Sequence, residues 1–210
     1  MHITYLFDPL CGWCYGAVPT LEKIAMLEGV TIELAPTGLF AGQGARPMDD
    51  RLAAFAWQND QRIGQLTGQV FSQAYRDRVL GGVGSMFDSA PSTLGVVAVG
   101  LTQPDREREA LIALQTARYI DGRNNSEIAV VADALDEAGF SDAAARVLAP
   151  DDALFGACRN RIEKARGLMT KFRLDGVPAV LVGDDEKRRK LRSDVLYGDF
   201  DRLAAELRAA

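Results

Sequence analysis

Cysteine and histidine are scarce in this sequence. Three cysteines, Cys11, Cys14 and Cys158, and one histidine, His2, are spread over 210 residues. That is too few for a disulfide-stapled scaffold, and too few for a zinc site built from cysteines alone. Long apolar runs are absent as well: no stretch approaches the roughly 20 residues of a membrane span. The N-terminus has no basic n-region, and its apolar segment Ile3–Phe7 is too short for a secretory signal. With Met1 as the start, the expectation is a cytoplasmic protein; a periplasmic protein with its signal removed would read the same. Excess positive charge is missing too. The net charge of −5 argues against the clustered basic face of a nucleic-acid binder. The one basic run, Lys187-Arg188-Arg189-Lys190, follows Asp184-Asp185-Glu186. It reads as an exposed, locally neutralised loop rather than a phosphate site. Gly81-Gly82-Val83-Gly84 is a loop that lacks the lysine and hydroxyl of a phosphate cradle. Neither repeats nor low-complexity linkers occur.

What is present is an ordinary globular composition, 48% apolar and 25% charged. His2–Phe7 is rich in β-branched and aromatic residues and reads as a buried strand. After the turn Asp8-Pro9-Leu10, a helix is expected from about Gly12 to Leu27. Pro19 should kink or restart it, because proline lacks an amide donor and clashes with the preceding turn. Gly29 ends it, and Val30–Ala35 alternates as a second strand. The short connections make a β-α-β unit, which implies a parallel pair. From Pro47 to Arg173 the signal is helical, with candidates at 49–67, 69–78, 91–101, 105–121, 126–137 and 151–172. Ala110, Leu111, Leu114, Ala117, Arg118 and Ile120 recur at helical spacing in the fourth. Strand returns in the apolar run Gly176–Gly183, with a weaker strand at 191–196 and a terminal helix at 199–208. The fold expected is α/β, one domain interrupted by a large all-helical insertion.

The chemistry is carried by Cys11-Gly12-Trp13-Cys14. A lone CxxC beside a β-α-β pattern reads as redox chemistry. The first cysteine stands where a helix begins, and unpaired amides and the helix dipole favour negative charge there. The thiolate is the nucleophile. Two intervening residues let both sulfurs meet within one turn. Cys11 is expected to be exposed and to attack, Cys14 to be more buried and to resolve the mixed disulfide; run backwards, the same steps oxidise a dithiol. Half a zinc site is the competing reading, but there is no second CxxC and His2 lies far down the strand. Cys158, on a helix with Leu154 and Ile162, reads as a buried structural thiol. Trp57, Phe71 and Phe87 read as core packing of the insertion rather than a groove.

Asp8-Pro9-Leu10-Cys11-Gly12-Trp13-Cys14-Tyr15-Gly16 resembles the motif of the DsbA-like oxidoreductases of the thioredoxin superfamily, in particular the FrnE-like group. Gly176-Val177-Pro178 resembles the family's cis-proline loop. The resemblance implies a thioredoxin-like domain from residues 1–45 plus 165–210 and a helical insertion at 46–164. It also implies a cis Val177–Pro178 bond, with Pro178 beside the sulfurs and the backbone of Val177 pairing with a substrate strand by β-augmentation. Trp13 either contacts substrate or covers the disulfide. The expected activity is that of a protein disulfide reductase, oxidase or isomerase. Partners are protein or small-molecule thiols and disulfides, with neither nucleic acid nor membrane. No metal or cofactor is expected beyond the Cys11–Cys14 disulfide, with glutathione as an optional co-substrate. Two features depart from the family. The strand acid that many relatives carry is replaced by Tyr5, and Gly-Trp separates the cysteines. Relatives of the same layout, the kappa-class glutathione transferases and chromene-carboxylate isomerases, carry serine where Cys11 stands; they define an alternative glutathione-dependent activity. A non-catalytic binding protein of the same fold is a third reading.

Overall fold

A computed structural model describes residues 1–82, 84–184 and 187–208. Val83 of the glycine-rich loop, and Asp185 and Glu186 of the expected acidic neutralisation, lie outside the described residues. The main sheet has the order β2-β1-β5-β6. Strand β1, His2–Phe7, pairs in parallel with β2, Thr31–Pro36, in the register His2↔Thr31 to Phe7↔Pro36. On its other side β1 pairs antiparallel with β5, Ala179–Val182, so two buried strands form the centre of the sheet. Both are buried nearly end to end because other elements cover both faces.

Between β1 and β2 the chain forms α1, Gly12–Gly16, and α2, Val18–Ala25. The break falls at Ala17, and Pro19 occupies the first turn of α2, where its missing amide costs nothing. Then come α3, Asp50–Thr67, α4, Ala90–Thr102, α5, Glu107–Tyr119, α6, Ile128–Glu137, α7, Ser141–Leu148, and α8, Asp152–Phe172. The carboxylates of Asp49 and Asp151 cap α3 and α8, accepting from the amides of Leu52 at 2.7 Å and Leu154 at 2.6 Å. Helix α4 is apolar nearly all round and is buried among its neighbours. Helix α8 runs unbroken through residues 164 and 165 and packs on both β2 and α4. The terminal helix α9, Phe200–Arg208, closes the chain. Among the described residues no helix is long and apolar enough to cross a membrane.

Five local expectations are corrected. The helix expected at 69–78 is a short turn that becomes π-helical at Tyr75–Leu80. Gly68 ends α3 in the left-handed region at φ 77°, and Ser72 Oγ accepts from the Tyr75 amide, starting the next turn late. The helical middle also holds a two-residue hairpin, β3, Arg46–Pro47, with β4, Met86–Phe87, too short to show a period in sequence. Helix α7 had no strong apolar run to mark it; it buries Ala143, Ala144 and Val147. The last strand, β6, is Arg189–Lys190, inside the basic run read as a loop. The expected strand at 191–196 instead leads into a 3₁₀ turn at Ser193–Tyr197. Leu191, Val195 and Leu196 all face the core, and that four-five spacing suits a turn rather than alternation.

Candidate active site

The CxxC emerges directly from β1. Asp8, fully buried, shapes the turn: its Oδ1 accepts from the Leu10 amide at 2.9 Å. Its Oδ2 accepts from the Phe40 amide at 3.1 Å and the Ser89 hydroxyl at 2.7 Å. Burial pushes this carboxyl up, against those hydrogen bonds. The Cys11 amide donates to the Asp8 carbonyl at 3.1 Å. Cys11 is the N-cap of α1, so the first amides after it have no intrahelical acceptor. Helix α1 is five residues long, so the local amides outweigh any macrodipole.

Cys11 is 7% exposed, against the expectation of an exposed nucleophile. The cis Val177–Pro178 loop covers it, and the thiol donates to the Val177 carbonyl at 3.5 Å. Cys14 is 1% exposed. Burial first, then the adjacent Cys11 sulfur, holds its thiol well above the ordinary range. Tyr5 holds the motif: its hydroxyl donates to the Cys14 carbonyl at 3.2 Å. Tyr197 does the same on the other side, donating to the Trp13 carbonyl at 2.9 Å while its ring meets the indole edge-on at 5.1 Å. His2 lies at the far end of β1 and pairs with Glu33 at 3.2 Å. Cys158 is half-buried on α8 rather than fully buried, and burial raises its thiol.

Two depressions flank Trp13. One is an open groove of about 730 Å³ bordered by Trp13, Val177, Pro178, Arg62, Arg173 and Lys190. Arg62 lies over the indole at 5.9 Å. Arg192 in the same groove is paired with Asp194, which leaves Arg62, Arg173 and Lys190 without an ion pair among the described residues, against one further carboxylate in the lining, Asp175. The other is a cavity of about 190 Å³ between the motif and the helical segment, walled by Cys11, Leu10, Phe87, Tyr75, Tyr119 and Asp60. Phe87 thus borders the site, whereas Phe71 packs against Tyr15 and Tyr119, and Trp57 lies under Arg76 away from the sulfurs.

Sequence reasoning missed the polar group in that wall. Asp60 is 4% exposed, and its Oδ2 accepts from the Tyr75 hydroxyl at 2.9 Å. Burial raises the Asp60 carboxyl to about 7, although the Tyr75 hydrogen bond and the charge of Arg118 pull it down. Arg118 is 1% exposed and lies over the rings of Tyr75, Phe87 and Tyr119, while its guanidinium donates to Asn125 at 3.1 Å. The available signal was a charge on an apolar helix face. Asp60 lies one turn from Ala56 and Ile63, and Arg118 sits within the apolar series of α5.

The sequence model of the DSBA-like thioredoxin domain matches residues 2–198. A search of curated protein sequences gives no match. Among solved structures, the chain is similar to the cytosolic disulfide reductase DsbM from Pseudomonas aeruginosa, at 30% identity and a TM-score of 0.87, over the full length of both chains. The same protein has been solved with GSH, and that structure matches at 29% identity and a TM-score of 0.85 over 100% of this chain and 98% of that one. A candidate protein disulfide isomerase from Nitrosomonas europaea is similar at 21% identity and a TM-score of 0.82, over 99% of this chain and 96% of that one. A 2-hydroxychromene-2-carboxylate isomerase shares the fold at 18% identity and a TM-score of 0.62, over 100% and 96% of the two chains.

Proposed function

The chain belongs to the DSBA-like thioredoxin domain family, and from that premise we propose that it is a cytosolic disulfide reductase working through Cys11 and Cys14, with glutathione as its thiol co-substrate. The Cys11 thiolate attacks a substrate disulfide, forms a mixed disulfide and expels one thiolate. Cys14 then attacks Cys11, releases the second thiol and leaves a Cys11–Cys14 disulfide, which external thiols reduce. The observation that carries the reading is the Cys11 sulfur at the N-cap of α1, against the Val177 carbonyl, in a chain 30% identical to a disulfide reductase over its whole length.

Trp13, Val177 and Pro178 form the substrate side of the site. The backbone edge at Val177 suits an extended peptide or the cysteinyl part of glutathione. The carboxylates of glutathione suit the excess of cations Arg62, Arg173 and Lys190 over the single unpaired carboxylate Asp175. Nothing comparable supports the glutathione-dependent isomerase reading. At 18% identity the chromene isomerase shares a fold, and the nucleophile position here holds a cysteine with a second cysteine one turn on.

The test is reduction of insulin by glutathione, and of glutathione disulfide by dithiothreitol, at neutral pH, with wild type and Cys11→Ser. Turnover by wild type and its loss in Cys11→Ser is the expected result. Activity that survives the substitution overturns the mechanism. Scrambled-protein refolding without net reduction would move the assignment to isomerase.

A further inference from the structure

Disulfide exchange needs a place for protons, because an attacking thiol must lose one and a leaving thiolate must gain one. Tyr5 is spent on the Cys14 carbonyl, and both oxygens of Asp8 are held by the turn and by α4. Asp60 is differently placed. Its Oδ2 is held by Tyr75, its Oδ1 has no hydrogen-bond partner among the described residues, and Asp60 lines the cavity that Cys11 also lines. A methyl group built on Gly12, the residue after the nucleophile, would stand 2.3 Å from that oxygen, so Oδ1 rests against the start of α1.

We infer that Asp60 is the acid–base group for thiols exchanged at Cys11, supplied from α3 instead of from β1. This rests on the disulfide-reductase reading. When Cys11 attacks R–S–S–R′, the Cys11–S–R bond forms, the S–S bond breaks, and R′S⁻ leaves with the electron pair. The Asp60 carboxyl gives its proton to R′S⁻, yielding R′SH and a carboxylate. An incoming thiol of the reductant returns a proton to that carboxylate as it becomes the attacking thiolate. A carboxyl held near 7 serves both directions at neutral pH. The charged and titratable groups around it are Tyr75 on the π-helical turn, Arg118 and Tyr119 on α5, Cys11 at the motif and Arg46 on the cavity rim. Of these, Arg118 and the Tyr75 hydroxyl keep the carboxyl from rising further.

The experiment compares wild type, Asp60→Asn and Tyr75→Phe on two disulfides over a range of pH. One is aliphatic, whose leaving thiolate is basic and gains from a proton donor. The other is an activated aromatic disulfide, whose leaving thiolate is stable without one. In Asp60→Asn, aliphatic turnover should fall about tenfold or more, with loss of the inflection near pH 7, while aromatic turnover changes less than about twofold. In Tyr75→Phe the inflection should move to higher pH, because the carboxylate loses a donor. Equal losses on both substrates would mark a structural role and overturn the inference. So would an unchanged aliphatic profile in either variant. Cys11→Ser serves as the separate control: activity surviving there defeats the reductase reading itself, independently of Asp60.

Discussion

The Cys11 sulfur lies 3.5 Å from the carbonyl oxygen of Val177, a residue 166 positions away. The contact covers the proposed nucleophile from the side where a substrate strand would pair, and Cys14 lies behind it at 1% exposure. A substrate must therefore meet Cys11 first. Cys14→Ala should accumulate a mixed disulfide with glutathione on Cys11, seen by mass spectrometry as one glutathionyl adduct lost on reduction. The adduct should be absent from Cys11→Ser, although Cys14 remains.

Asp60 should leave a signature in stability as well as in rate. Its folded value of about 7 lies above the ordinary 3.8, so the folded protein keeps a proton that the unfolded chain releases between those values. Stability should therefore fall as pH rises through that window, by up to roughly 4 kcal/mol. Urea titrations of wild type and Asp60→Asn from pH 4 to 8 measure this. The stability of wild type relative to the variant should decline with rising pH, and parallel curves would contradict the burial argument.

Gly12 is required by the approach of α3. A Cβ there would stand 2.3 Å from Asp60 Oδ1 and 3.2 Å from Ile63 Cδ1. Gly12→Ala should destabilise the fold by about 1–3 kcal/mol, the usual cost of overpacking. Because the displaced group is Asp60, it should also change the pH profile of aliphatic disulfide reduction, whereas Gly167→Ala, with open space around its Cβ position, should do neither. Denaturation and a pH-rate series check both halves.

The groove beside Pro178 should select for carboxylates. Arg62 and Lys190 are exposed cations on its walls. The double substitution Arg62→Ala, Lys190→Ala should raise KM for glutathione disulfide about three- to tenfold, in line with two solvent-exposed ion pairs. The effect should shrink in high salt, which screens exposed charges. An uncharged small disulfide should show little change, and an equal change for both substrates would mean lost packing on Trp13 rather than lost charge.

Much of the fold was legible because its signals are local. The run Ala179–Val182 is apolar on every residue and Ile3–Phe7 on all but Thr4, as central strands are, and both lie at the middle of the sheet. The cap aspartates Asp49 and Asp151 sit one residue before helices α3 and α8. The failures came where neighbours outweigh local preference. Arg189–Lys190 became a strand because β5 offered an open edge. Residues 193–197 became a turn because Leu191, Val195 and Leu196 were drawn to the core.

For the site, the sequence by itself marked the proposed reacting pair, Cys11 and Cys14, and its place at a strand-to-helix junction, since both follow from residues within a few positions of each other. It could mark Val177-Pro178 only through the resemblance. The tertiary structure decided the rest. It buried Cys11 under Val177, set Tyr5 against the backbone of Cys14, brought Asp60 and Tyr75 to the cavity wall and laid Arg118 over the Tyr75 ring. An aspartate in a helix reads as a solvated face until packing takes it out of water. Burial raises a carboxyl toward neutrality, and burial is a property of the elements that close over Asp60 rather than of its neighbours in sequence.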